Sequence, residues 1–80
     1  MGFYVYIIYA SSIDKYYIGQ TENIAKRIEE HRSRKNLGAD DWQLKYSESY
    51  LTRSEATKRE SEIKKKKRRT YLEWLISLSA

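Results

Sequence analysis

The chain has no cysteine, no proline and a single histidine in 80 residues. Without cysteine there is no disulfide framework and no cysteine-ligated zinc or iron–sulfur centre. One histidine excludes a metal cage built from several imidazoles. A cysteine-free composition is expected of a reducing, cytoplasmic setting. Long apolar runs are missing too. Phe3–Ala10 is the main one, and it is too short to span a bilayer and lacks the basic flank of a secretory leader. Met1-Gly2 does not open a myristoylation signal, because position 6 is Tyr rather than Ser or Thr. No membrane partner is expected. With no repeat and no Gly/Ser-rich linker, residues 1–80 read as one domain with a small core, since a chain this short buries only roughly 60–65% of its unfolded surface.

What is present is charge and aromatic rings. The net charge is +5, and 14% of residues are aromatic, eight of them tyrosines. Residues 1–50 hold 7 basic and 7 acidic side chains, whereas residues 51–80 hold 9 basic and 4 acidic, so the whole excess lies in the last 30 positions. Most of it sits in the run Lys64-Lys65-Lys66-Lys67-Arg68-Arg69. Such a run attracts phosphate and makes binding salt-dependent. Taken alone it serves equally well as a solvated helix face.

The pattern predicts an α+β domain of order β-β-α-β-α-α. Phe3–Tyr9 and Tyr16–Ile18 are β-branched and aromatic, with a turn over Ala10–Asp14 between them, which predicts an antiparallel hairpin. Placing Tyr6 opposite Tyr17 sets Val5 against Ile18 and Ile7 against Tyr16 on one apolar face. Tyr6 and Tyr17 then share the other face, with Tyr4 beside Gly19. Gly19 leaves room where backbone or a ligand must come close. Thr21 or Asn23 caps a helix running to about Arg34, with Ile24 and Ile28 on one stripe and Arg27 and His31 on the next. Residues 35–41 should form a loop, and Trp42–Tyr50 alternates as a third strand. Thr52-Arg53-Ser54-Glu55 is a capping box opening a second long helix with Ala56 and Ile63 inward. A last helix over about Arg69–Leu78 presents Tyr71, Leu75 and Leu78, widened by Leu72 and Trp74.

Three groups of residues can carry chemistry. Tyr6 and Tyr17 place two phenols side by side, though an ordinary cross-strand pair would do the same. Arg27 offers a fork matched to phosphate oxygens, and His31 can move a proton near neutral pH. Arg27 paired to Glu30 with His31 exposed would be an ordinary helix face. Glu60 has Lys64 four residues on, a common surface pair. One carboxylate can also hold Mg²⁺ that takes its other ligands from water and phosphate, but it cannot hold a two-metal cluster.

In order and spacing, Tyr4-Val5-Tyr6, Tyr17-Ile18-Gly19, Thr21, Asn23, Arg27 and His31 resemble the core of the GIY-YIG nuclease superfamily, also called the URI domain. Trp42–Tyr46, Arg53–Ala56, Arg59-Glu60 and Ile63–Lys65 are similar to its small stand-alone bacterial members. The resemblance implies a three-stranded antiparallel sheet flanked by helices. It also implies DNA cleavage with Mg²⁺ or Mn²⁺, as in intron-homing endonucleases and the nuclease domain of the excinuclease incision subunit. On that resemblance Tyr6 is the general base, Tyr17 positions water or phosphate, Arg27 stabilises the phosphate, His31 assists, and Glu60 holds the metal. Two departures stand out. Tyr4 replaces the first glycine of the family name, and no asparagine after Glu60 matches one that some members carry late in the domain.

A free phenol has a pKa of about 10, and bringing it near 7 takes roughly 4 kcal/mol. Arg27, a nearby lysine and the metal are expected to supply that, with activity rising between about pH 6 and 9. The basic run, Lys64 to Arg69, is expected to track the DNA backbone. A chain this short leaves no room for a separate recognition domain, so weak sequence specificity is expected. So is a preference for branched or flapped DNA, or dependence on a partner protein or homodimer. A repair or recombination role would follow. The alternatives are a catalytically weak nucleic-acid-binding module and an interaction domain for an acidic partner.

Overall fold

The computed structural model describes residues 2–66 and 68–78. Strand β1 (Phe3–Ala10) turns back into β2 (Lys15–Thr21), helix α1 (Ile24–Ser33) follows, then β3 (Gln43–Tyr50), α2 (Arg53–Lys66) and α3 (Arg69–Leu78). The sheet order is β2-β1-β3, and both pairings are antiparallel. This is the α+β architecture the sequence predicts.

The hairpin register differs from expectation by two residues. Tyr6 pairs with Gly19 and Ile8 with Tyr17, while Tyr4 pairs with Thr21. The cause is the turn. β1 runs on to Ala10, which pairs with Lys15, and only Ser11–Asp14 remain to reverse the chain, with Asp14 at φ 51°. Aspartate tolerates that left-handed conformation. Because strand faces alternate with period two, a two-residue slip leaves every side chain on its expected face.

Each face of the sheet carries its own core. Val5 and Ile7 meet Ala56 and Ile63 of α2 and Leu72 and Leu75 of α3. Tyr6 and Ile8 meet Ile28 of α1 together with Trp42. The caps are the ones the sequence offers. Asn23 accepts from the Lys26 amide at 3.1 Å, and Thr52 accepts from the Glu55 amide at 3.2 Å. On α3, Leu72 and Leu75 are buried, but Trp74 and Leu78 face solvent at 55% and 62% exposure. The expected broad apolar stripe is narrowed: this ten-residue helix joins the Val5–Ile7 core through Leu72 and Leu75, with Tyr71 and Ile76 partly buried beside them. Among the described residues no helix is long and apolar enough to cross a membrane.

Candidate active site

Tyr6 lies on the central strand, directly across from Gly19. A Cβ built on Gly19 would fall 2.5 Å from the Tyr6 hydroxyl and 2.7 Å from its Cζ. The hydroxyl end of the phenol therefore occupies the space a Gly19 side chain would take, and only a residue without a side chain fits there. The ring is buried, and its hydroxyl meets His31 Nε2 at 2.9 Å.

His31 is itself 5% exposed, which overturns the picture of an ordinary exposed helix face. It sits in an aromatic box. Its ring centroid is 4.8 Å from Tyr17, 6.0 Å from Tyr6 and 6.3 Å from Trp42. Trp42 was not picked out as a site residue from the sequence, where it read as the first residue of a strand and as part of the family-like segment Trp42–Tyr46; it lies just before β3. It is held by two bonds, one from the segment after α1 and one from the end of α1: its Nε1 donates to the Asn36 carbonyl at 3.1 Å, and its own carbonyl accepts from Arg32 Nε at 2.8 Å.

Burial sets the charge state of this pair. It pushes the Tyr6 phenol up from its usual value, and Arg27, pulling the other way, does not offset it. The expected tuning of Tyr6 toward neutrality is thus reversed in the protein alone. Burial, with Arg27 adding to it, pulls the His31 imidazole down below 6.5. Both groups are neutral near pH 7. In the Nδ1–H tautomer the phenol O–H donates to Nε2, an arrangement ready to pass the Tyr6 proton to His31.

Arg27 is held in an ion pair with Glu30 at 3.2 Å, and its side chain is 37% exposed. It lines two adjoining hollows. The larger, of about 400 Å³, is bounded by Gln20, Asn23, Lys26 and Arg53 among others. The smaller, of about 110 Å³, is bounded by Tyr17, Arg27, Glu30, His31, Arg34 and Asn36. The smaller one is the chemically relevant one, because it is walled by the imidazole and the guanidinium together. Gln20, Arg34 and Asn36 were not picked out from the sequence, and no motif there marks them.

The structure therefore gathers Tyr6, Tyr17, Arg27 and His31 around the smaller hollow, and Glu60 is not among the residues that line it. Glu60 belongs to α2, which packs on the other face of the sheet, and it lines neither hollow. Its side chain is 18% exposed and pairs with Lys64 at 2.6 Å. Its charge still reaches Tyr6, where it is the smallest of the influences raising the phenol.

The basic run divides. Lys64 is taken by Glu60, and the Lys66 ammonium lies 5.6 Å from the Tyr71 ring centre. Lys65 and Arg68 are exposed, and Lys67 lies outside the described residues. Arg69 pairs with Asp14 and Glu73 and stacks over Tyr9 and Tyr16, so it ties α3 to the hairpin.

With this geometry in view, the chain belongs to the GIY-YIG family: residues 2–72 match the GIY-YIG catalytic domain. That makes it a nuclease-family protein, with DNA as the substrate class and divalent metal ions in general use among its members. Neither curated proteins nor solved structures gave a significant match.

The donor set can be tested against such a metal. Among the described residues there is no cluster of three or more His, Cys, Asp or Glu side chains. A lone, mostly buried carboxylate does not make an all-protein cage. It fits a hard ion that keeps its waters and borrows phosphate oxygens, which is how Mg²⁺ is commonly held.

Proposed function

We propose that this protein is a metal-dependent DNA endonuclease that hydrolyses phosphodiester bonds with little sequence specificity, prefers branched or flapped DNA, and serves repair or recombination. The observation that carries the reading is the buried Tyr6–His31 hydrogen bond beside Arg27. A neutral phenol and a neutral imidazole enclosed together form a unit able to take one proton. Arg27 exchanges Glu30 for a phosphate oxygen, an exchange with a small penalty because an exposed pair is worth only about 0–1 kcal/mol. The attacking water gives its proton to the pair as its oxygen bonds to phosphorus, and the proton comes to rest on His31 Nε2; the scissile P–O bond breaks and the leaving DNA oxygen takes a proton from bulk water. Tyr6 is neutral before and after, so no free phenolate forms in a buried site that disfavours it. Tyr17, on the wall of the smaller hollow, orients water or phosphate. Glu60 would hold Mg²⁺ or Mn²⁺ after releasing Lys64, and the bound ion supplies Lewis-acid stabilisation of charge on the phosphate.

The test is cleavage of labelled branched and linear DNA with Mg²⁺ or Mn²⁺, comparing the wild type with Tyr6→Phe and Glu60→Ala. Loss of cutting in both variants, with circular dichroism unchanged, supports the reading. Equal cutting of all DNA forms removes the structural preference. One observation favours a second reading, a binding module that cuts poorly: Glu60 lines neither hollow and is engaged by Lys64. DNA binding without cutting by the wild type would select it.

A further inference from the structure

The segment after α1 is bent in an unusual way. Lys35 has φ 49°, Leu37 φ 55° and Gly38 φ 84°, so three of four consecutive residues are left-handed and two of them carry a Cβ. Such residues are disfavoured unless surrounding contacts hold them. The contacts here converge on Asn36. Its carbonyl accepts from Trp42 Nε1 at 3.1 Å and from the Ala39 amide at 3.0 Å, while the Gly38 amide closes on the Lys35 carbonyl at 2.7 Å. The main chain of Asn36 is thus fixed against the aromatic box that holds His31.

The side chain is the reverse. It lines the smaller hollow with Tyr17, Arg27 and His31, yet its Nδ2 is fully buried and has no hydrogen-bond partner among the described residues. No hydrogen bond therefore holds the amide nitrogen where it lies. A half-turn about the terminal torsion, which is broad and two-fold, exchanges Nδ2 with Oδ1 and presents the donor to the hollow. Arg27 and Arg34 on the same wall favour an anionic occupant.

We propose that Asn36 is a further substrate-contacting residue, whose side-chain amide donates to a non-bridging oxygen of the phosphodiester seated in the smaller hollow. This rests on the endonuclease reading for the identity of the anion, but the contact itself is a binding event and can be observed without cleavage. A neutral donor adds directionality where two guanidinium groups add only charge and reach. Asn36→Asp keeps the shape and replaces the donor with a repelling carboxylate.

The first measurement is amide NMR of the full chain titrated with a short DNA duplex in the absence of divalent metal, with inorganic phosphate as a second probe. The Asn36 side-chain signal, assigned by its loss in Asn36→Ala, should shift and saturate together with the His31 ring signals. The second is cleavage by Asn36→Asp, which should fall about tenfold to a hundredfold in kcat/KM at an unchanged thermal midpoint, the size of one lost charge-assisted bond. If the wild type cuts while Asn36→Asp cuts within about twofold of it, the proposal is overturned. DNA that moves His31 but leaves the Asn36 amide in place overturns it as well. If the wild type does not cut but both signals move, the endonuclease reading fails and the contact stands. Should Asn36→Asp not fold, the wild-type titration alone decides.

Discussion

Gly19→Ala is the sharpest single perturbation this fold offers, because it adds one methyl group to a position where the space is already taken. The new Cβ would sit 2.5 Å from the Tyr6 hydroxyl and 2.7 Å from Cζ, whereas ordinary contacts begin near 3.4 Å. Restoring that separation takes a shift of about 0.9 Å at the hydroxyl. The ring cannot yield freely, since it is buried and tied to His31 at 2.9 Å. Overpacking of this kind costs about 1–3 kcal/mol, and the lower chain entropy of alanine returns about 0.4–1 kcal/mol. The net loss is about 1–2 kcal/mol, which lowers the thermal midpoint of a domain this size by roughly 5–15 °C. A displacement near 1 Å at a reacting group removes about 100-fold of rate. Thermal unfolding followed by circular dichroism reads the first effect, and DNA cleavage well below the midpoint reads the second. Adding Tyr6→Phe to Gly19→Ala should recover only part of the stability, because the contact with Cζ remains, and should recover no cleavage. A Gly19→Ala protein with wild-type midpoint and wild-type cutting would refute the placement of the ring over the glycine.

Three further outcomes follow from the charges. Because the folded state holds His31 below 6.5, it favours the neutral imidazole, so this residue costs stability as the pH falls below 6.5 and the unfolded chain takes up the proton first. The midpoint of the wild type should therefore drop faster than that of His31→Gln between about pH 7 and pH 5, and parallel curves would sink the idea. On the opposite face of the sheet, Glu48 accepts from Arg59 at 2.9 and 3.1 Å and from Tyr46 and Tyr50, which together outweigh burial and hold its carboxyl below 4.5. Arg59→Ala should cost about 2 kcal/mol in urea unfolding at neutral pH and leave the folded enzyme's cleavage rate intact. The Glu48 contribution is present above pH 4.5 and is lost as the pH falls through its lower folded value. Finally, Lys65→Ala and Arg68→Ala should each reduce the salt slope of DNA binding by about one without changing stability. Arg69→Ala should destabilise the fold and leave that slope alone, because its charge is spent on Asp14 and Glu73.

Much of this fold was legible because its signals are local. Asn23 and Thr52 announce their helices by capping chemistry that needs no tertiary partner, and both caps form. The faces of the hairpin survived a wrong register because period-two alternation is insensitive to an even slip. The register itself was not legible, since it depends on a left-handed Asp14 that allows a four-residue reversal. The burial of His31 was hidden for a different reason. On its own helix it is a polar residue one turn from Arg27, and what encloses it arrives from Tyr17 and Trp42 on separate elements. Asn36 was harder still. Its place in the hollow depends on backbone angles that Lys35 and Leu37 do not advertise.

The strand order has a consequence for how the protein comes apart. Tyr6 is carried by the strand in the middle, which is bonded on both sides along its length, whereas Tyr17 is carried by a strand at the edge. The amide hydrogens around Tyr6 should exchange with solvent only through global unfolding, while those of the edge strand exchange through smaller local openings as well. The two neighbouring phenols thus belong to different tiers of local stability. Warming or mild denaturant should displace Tyr17 first, passing through a state in which the Tyr6–His31 hydrogen bond is intact and the wall of its hollow is gone.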